Sequence, residues 1–265
     1  MTEFQTIRLS TDDAGVTTLL MNRPDKLNSW DATMERELDA AARAIESDLR
    51  AHRVLVIHGA GRAFCAGVDL SLVASEQRLP PRELRSLMWA RHRFFDWVEQ
   101  VEIPVVAAIH GYCLGGGLEL AVSCDFRLLS DDAVLSMPEL GFGQVPGSGA
   151  ASRITALAGP AVAKDIVMTG RRVGAEEARG MGLASRVYGA EEFDGQVAAF
   201  CAELAARPPL ALAMVKQVVA MVQPMEPART RMVERLGQSA LLASADLAEG
   251  LAAAAERRKP DFRGE

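Results

Sequence analysis

Apolar and polar positions along the chain change period several times, and each change marks an element. Thr6–Ser10 and Val16–Asn22 are β-branched and alternating, and Asp12-Asp13-Ala14-Gly15 between them supplies turn residues. Together they predict a hairpin. Asp31 then stands at an N-cap position before Ala32–Leu49, which has helical spacing and is rich in alanine. Val54-Leu55-Val56-Ile57 reads as a short buried strand, and the stretch Gly59–Asp69 after it as a loop. Pro80-Pro81 opens a helix that runs to about Gln100. Val105–Ile109 is a second buried strand, Leu118–Ser123 a helix entered through Gly115-Gly116-Gly117, and Phe126–Leu129 a third strand. Alternation of strand and helix predicts an α/β chain with helices packed on sheet. After Val187-Tyr188-Gly189 the pattern becomes helical to the end, with breaks at Pro208-Pro209, near Pro224 and Pro227, and at Pro260. These features divide the chain into a core at 1–190 and a helical region at 191–265.

The chain has 265 residues, enough for one large domain, with 49% apolar and 24% charged residues. That mix supports a packed core and excludes a disordered chain. A net charge of −6 argues against nucleic acid as the main partner, since phosphate binding needs a basic face, but not against a small anionic ligand held by local cations. The four cysteines, Cys65, Cys113, Cys124 and Cys201, form no C-x-x-C pair and read as reduced thiols, which with the lack of a leader-like N-terminus predicts a cytoplasmic protein. The longest apolar runs are strand-sized, so no membrane contact is expected. His52, His58, His92 and His110 show no metal-ligand spacing.

Two glycine-rich loops each follow a strand: Gly61-Arg62-Ala63-Phe64-Cys65-Ala66-Gly67-Val68-Asp69-Leu70 and His110-Gly111-Tyr112-Cys113-Leu114-Gly115-Gly116-Gly117-Leu118-Glu119-Leu120. In the second, bare backbone opens a helix whose first-turn N–H groups have no intrahelical acceptor and point outward with the positive end of the dipole. Such donors suit a developing oxyanion. Glu119, three positions after Gly116, shares that helix face. Close packing of helix on strand would call for the same glycines. Glu139 lies in an apolar stretch, Ser136-Met137-Pro138-Glu139-Leu140-Gly141, followed by Val145-Pro146-Gly147-Ser148-Gly149. A carboxylate there is either solvated on a loop or buried with a raised pKa. Trp89, His92, Phe94, Phe95 and Trp97 on the Leu84–Gln100 helix form a core stripe or line a pocket. Gly147-Ser148-Gly149 lacks the flanking pattern of a dinucleotide fingerprint.

Taken together, these segments resemble the crotonase (enoyl-CoA hydratase/isomerase) superfamily. The resemblance starts at Asn22-Arg23-Pro24-Asp25-Lys26-Leu27-Asn28 and runs through both glycine loops and Pro138-Glu139. It continues through Val167-Met168-Thr169-Gly170 and Ala178-Arg179-Gly180-Met181-Gly182-Leu183-Ala184 to Arg257-Arg258-Lys259-Pro260-Asp261-Phe262. It implies a crotonase-like spiral of ββα units followed by a C-terminal helical trimerisation region, assembled as a homotrimer or a dimer of trimers. It implies an acyl-CoA substrate, with coenzyme A as part of that substrate, no prosthetic group and no metal. The thioester carbonyl would be held by the backbone N–H groups of Val68 and Gly116. Valine at 68 is bulkier than the small residue common in hydratases, and its side chain would narrow the pocket.

The two glutamates of the hydratases map to Glu119 and Glu139, so the resemblance implies an enoyl-CoA hydratase, with Glu119 positioning water and Glu139 giving a proton to Cα. Isomerases, hydrolases and lyases of the family keep one carboxylate or move it, and the downstream aspartate of dienoyl-CoA isomerases falls near Gly147. Some relatives bind RNA, a role that the charge of −6 disfavours. For coenzyme A itself the resemblance points to Ala66 and Leu70 near adenine, to Lys26 and Arg62 near the phosphates, and to Lys259 or Arg263 from a neighbouring subunit. Ser71 stands where the family often has a lysine.

Overall fold

The computed structural model describes residues 4–76, 79–222, 245–256 and 258–265. The hairpin forms as its alternation predicts, from β1 (Ile7–Thr11) and β2 (Val16–Met21), and Gly15 takes φ 80° in the turn. Asp31 caps α1 (Ala32–Ser47), its carboxylate accepting from the backbone N–H groups of Thr33 and Met34. One stripe of that helix, Met34, Leu38, Ala41, Ala42 and Ile45, is buried.

Two sheets follow. The larger has strand order β1-β2-β3-β5-β7-β10, with β3 at Val54–Gly59, β5 at Val105–Ile109, β7 at Phe126–Ser130 and β10 at Arg186–Tyr188. Every pair except β1–β2 is parallel. The smaller has order β4-β6-β8-β9, from Ala63–Cys65, Tyr112–Leu114, Val134–Ser136 and Val173–Gly174. Three times the chain lays a strand in the large sheet, a short strand in the small one, and then helix. The helices are α2 (Leu70–Glu76) with α3 (Pro81–Gln100) after β4, α4 (Gly116–Ser123) after β6, and α5 (Ala150–Thr169) after β8. This is the expected spiral of ββα units. The stretch 59–69 is not all loop: Ala63–Cys65 pairs in parallel with β6.

The main core lies between α1, α3, α4, α5 and the sheets, and includes Trp30, Phe64, Phe95, Ile57 and Ile109. Phe94 and Phe95 of the aromatic stripe are buried there, whereas Trp89 is 79% exposed. Apolar runs such as Val54 to Ile57 in β3, buried on both faces, need a cover on the other side as well. α7 (Phe193–Ala205) supplies it, packing Phe193, Val197, Phe200 and Cys201 on Val54, Val56, Val106 and Leu128. The first helix beyond residue 190 is therefore part of the sheet's packing. α6 (Ala175–Gly180) joins β9 to β10. α8 (Pro209–Val222) and α9 (Ala245–Glu256) follow, and 259–265 is not helical. The breaks expected near Pro224 and Pro227, and Arg257 of the terminal motif, lie outside the described residues. Among the described residues no single helix is long and apolar enough to cross a membrane.

Candidate active site

The turn after β4 and the turn after β6 meet. Trp30 N–H donates to Gly67 C=O (2.8 Å) and Asp69 N–H to Trp30 C=O (2.8 Å), a parallel bridge opposite Val68. In that pattern the flanking residues face Trp30, and Val68's own N–H turns the other way. Its nitrogen lies near the N-terminus of α4. A Cβ built on Gly116 lies 3.7 Å from Val68 N, and one built on Gly67 lies 3.1 Å from Gly116 N. Gly67 has φ 91°, so its lack of a side chain both permits the turn and keeps the Gly116 N–H uncovered. The backbone nitrogens of the two predicted donors are thus neighbours, one of them at the N-terminus of a helix.

This turn is pinned from below by Asn28, which is fully buried and holds φ 56°. Its Nδ2 donates to Ala60 C=O (2.9 Å) and Ala63 C=O (2.8 Å), and its Oδ1 accepts from Arg23 N–H (2.9 Å). Arg23 reaches Asp31 at 3.2 Å and Asp69 at 3.7 Å. The motif Asn22–Asn28 is therefore scaffolding for the donors, a role its residue types alone did not reveal.

Both glutamates reach the same region, in different electrostatic states. Glu119, on the first turn of α4, is 6% exposed. Burial pushes its pKa up, and the N–H and hydroxyl of Ser148, the N–H of Ala150 and the charge of Arg153 oppose that rise. Ser148 N–H donates to Glu119 Oε1 at 2.7 Å. Ala150 opens α5, so the Glu119 carboxylate sits on that helix's N-terminus. Glu139 lies in the 3-10 turn Pro138–Phe142. Its Oε2 is buried without a hydrogen-bond partner among the described residues. Burial, helped by the Glu119 charge, pushes its pKa to about 7. Gly115, with φ 52°, makes room for it, since a Cβ there would lie 2.6 Å from Glu139 Oε1. Both carboxyl pKa values are raised by burial, but the first group is surrounded by donors that oppose the rise and the second has few, so the two hold a proton with different strength.

The remaining predicted residues divide into two places. Lys26 and Arg62 are exposed on adjoining turns: Gly61 packs on Pro24, and Ala66 N–H donates to Leu27 C=O at 2.9 Å. Ala66 is half-buried beside them, and Leu70, the first residue of α2, is 59% exposed. Lys259 and Arg263 stand elsewhere in the same chain. Arg263 pairs with Asp261 at 2.9 Å, and the carbonyl of Phe262 accepts from Arg53, which sits at the Gly15 end of the large sheet. β2, six residues long, separates that end from the donor turns. The expected contribution of Lys259 or Arg263 therefore requires a neighbouring subunit.

His92 and Ser148, neither marked by the sequence as a site residue, join the cluster. His92 Nδ1 and Ser148 Oγ are 2.7 Å apart. Glycines flanking a lone serine at 147–149 were the one legible sign. All four cysteines are buried and unpaired, and burial pushes Cys65 to about 12. Among the described residues no group of three His, Cys, Asp or Glu is placed to hold a metal.

This geometry agrees with what the chain is similar to. The family model for enoyl-CoA hydratase/isomerase matches residues 11–265, and the chain belongs to that family. It is 34% identical over 257 residues, 97% of its length and 84% of the relative's, to a probable mitochondrial enoyl-CoA hydratase 2 of Arabidopsis thaliana. It is also 31% identical over 266 residues, 97% of this chain and 95% of the relative, to a peroxisomal Delta(3,5)-Delta(2,4)-dienoyl-CoA isomerase of Arabidopsis thaliana. An enoyl-CoA hydratase structure from Bacillus anthracis superposes with TM-score 0.92 at 30% identity, covering 98% of this chain and 100% of that one. The protein is thus a crotonase-family enzyme.

Proposed function

We propose that the enzyme is an enoyl-CoA hydratase, adding water across the 2,3 double bond of an enoyl-CoA thioester. The observation that carries the reading is the pair of unlike glutamates, Glu119 held by donors and Glu139 near pKa 7 with its Oε2 unpartnered among the described residues, beside the neighbouring backbone nitrogens of Val68 and Gly116. The N–H groups of Val68 and Gly116 polarise the thioester carbonyl, which makes Cβ electrophilic and stabilises the enolate-like transition state. Glu119 accepts a proton from water as the oxygen bonds to Cβ. Glu139 gives its proton to Cα. Coenzyme A arrives as part of the substrate, no prosthetic group takes part, and in this reading Lys26 and Arg62, exposed on adjoining turns, meet its phosphates. The dienoyl-CoA isomerase reading is disfavoured because Gly147 stands where that reaction's aspartate is expected, with His92 ring atoms 3.2 and 3.3 Å from a Cβ built there.

The enzyme works as a homotrimer or a dimer of trimers in this reading. Support comes from α8 and α9, where Val215, Val219, Met221 and Leu251 are more than half exposed in the single chain.

A panel of 2-enoyl-CoA and 3-enoyl-CoA thioesters tests the reaction, read by loss of the conjugated absorbance and by product mass. Hydration predicts a gain of one water from 2-enoyl substrates. Glu119→Gln, which keeps shape, then loses roughly two to four orders of magnitude in turnover. Isomerisation of 3-enoyl-CoA alone, surviving in Glu119→Gln, would overturn the reading.

A further inference from the structure

The Ser148 hydroxyl sits between two groups that both want a hydrogen bond. On one side is Glu119, which takes the Ser148 backbone N–H at 2.7 Å and also faces the hydroxyl. On the other is His92 Nδ1, 2.7 Å from Oγ. Ser148 is 7% exposed, so neither side is replaced by bulk solvent. A hydroxyl has one proton to give. Given to the carboxylate, it leaves Oγ to accept from His92, which must then carry its proton on Nδ1. The chain of donation runs from His92 Nδ1–H to Ser148 Oγ–H to the Glu119 carboxylate.

The segment that presents Ser148 is itself fixed. Arg153 donates to Ser148 C=O and pairs with Glu99 at 2.6 Å. His92 closes the other side against Gly147, where any side chain would press on its ring. Beyond His92 lies a cleft of about 400 Å³, lined by Trp89, Asp96, Gly149, Ser152 and Arg153 among others. The charged groups facing this cluster are Glu139 from the 3-10 turn, Arg153 from α5, and Arg91 and Asp96 from α3.

We propose that Ser148 and His92 are positioning residues that hold Glu119 ionised and aimed at the water it activates. The proposal rests on the hydratase reading of the site. Burial and Arg91 lower the His92 pKa against Asp96, which keeps the ring neutral and able to act through one tautomer. Packing of α3 on α5 alone would need neither the hydroxyl nor the ring nitrogen.

The test compares wild type with Ser148→Ala, His92→Ala, His92→Asn and the double variant Ser148→Ala/His92→Ala. Ser148→Ala keeps the backbone N–H to Glu119 and removes only the hydroxyl. Ser148→Ala should lower kcat about tenfold, the worth of one hydrogen bond to a charged group, and His92→Ala, which removes only the group that turns the hydroxyl toward Glu119, by a smaller factor, with KM changed less than about twofold in both. Losing a donor to the ionised form moves the Glu119 pKa up, so the acid limb of kcat should move to higher pH. The double variant should be no worse than Ser148→Ala alone, because His92 acts only through the hydroxyl already removed. His92→Asn, with an amide N–H near the Nδ1 position, should recover most of the loss. Unchanged kcat and acid limb in Ser148→Ala, or a double variant whose loss is the product of the singles, overturns the proposal. A second readout is independent of the reaction: carboxyl ¹³C titration of Glu119 in the substrate-free protein. An upward move in Ser148→Ala supports the positioning role even if wild type hydrates no enoyl-CoA, in which case only the hydratase reading falls. An unmoved titration in a working hydratase overturns the positioning role alone.

Discussion

Gly115→Ala separates the placement of Glu139 from its chemistry. A methyl at 115 would lie 2.6 Å from Glu139 Oε1, against 3.4 Å for the start of ordinary contact, so the carboxylate must retreat by about 0.8 Å. The atom in the way ends a flexible side chain, so the protein still folds. Residue 115 also has φ 52° and ψ −122°, a region that side chains disfavour, which costs about 1–3 kcal/mol of stability. A displacement near 1 Å at a reacting group costs up to about 100-fold in rate. The expected result is kcat lower by about 10- to 100-fold with KM little changed, because the N–H groups of Val68 and Gly116 stay in place. Urea unfolding measures the stability loss, and steady-state hydration of a 2-enoyl-CoA measures the rate. Wild-type kcat in a folded Gly115→Ala protein would refute the link between this glycine and the acid's position.

Other outcomes follow from the same structure. Glu139 is raised from its ordinary 4.5 to about 7, so hydration should fall as pH rises through about 7 and the proton to be donated is lost. The sign for stability is the same: the folded state binds this proton more tightly than the unfolded state, so stability falls across that window. Glu139→Gln should therefore raise the urea midpoint at pH 8 and not at pH 4.5, and an equal shift at both would count against the burial argument. Asn28→Ala should cost about 2–4 kcal/mol, since Ala60 and Ala63 lose a buried donor and the residue keeps φ 56°; chemical denaturation checks this. Light scattering at micromolar concentration should report a trimer or hexamer, and a stable monomer would leave the apolar faces of α8 and α9 unexplained.

Glu119, Glu139, Val68 and Gly116 were marked by the family resemblance; their own glycine-rich segments, read alone, left close packing and a solvated carboxylate equally open. β3 and β5 of the large sheet were legible because four or five consecutive apolar residues make a visible run, and β1 and β2 because their residues alternate, whereas the three-residue β10 was not. The small sheet was not. Its strands have two or three residues, too few to show a period, and their pairing is with segments about twenty or more residues away. α5 was obscured by Gly159-Pro160, where Gly159 takes a non-helical φ of 83° and the axis kinks. The contact of His92 with Ser148 spans 56 residues, and nothing local in either segment announces it. Asn28 was visible as part of a motif, but its work as a three-way brace depends on where Ala60 and Ala63 come to lie.

The carboxylate at 119 also finishes a helix. Gly149, the residue before α5, has no side chain with which to cap it, and the first turn of a twenty-residue helix takes its acceptor from Glu119 instead. The carboxylate proposed to activate water and the acceptor that finishes α5 are therefore the same group. A descendant of this protein that abandoned the carboxylate for another reaction would have to find α5 a new acceptor at the same step, for example a serine or aspartate near 149, where φ 94° resists both. That constraint would favour keeping a glutamate or glutamine at 119 even after its chemistry had become dispensable, and would steer divergence toward Glu139, Val68 and the pocket walls.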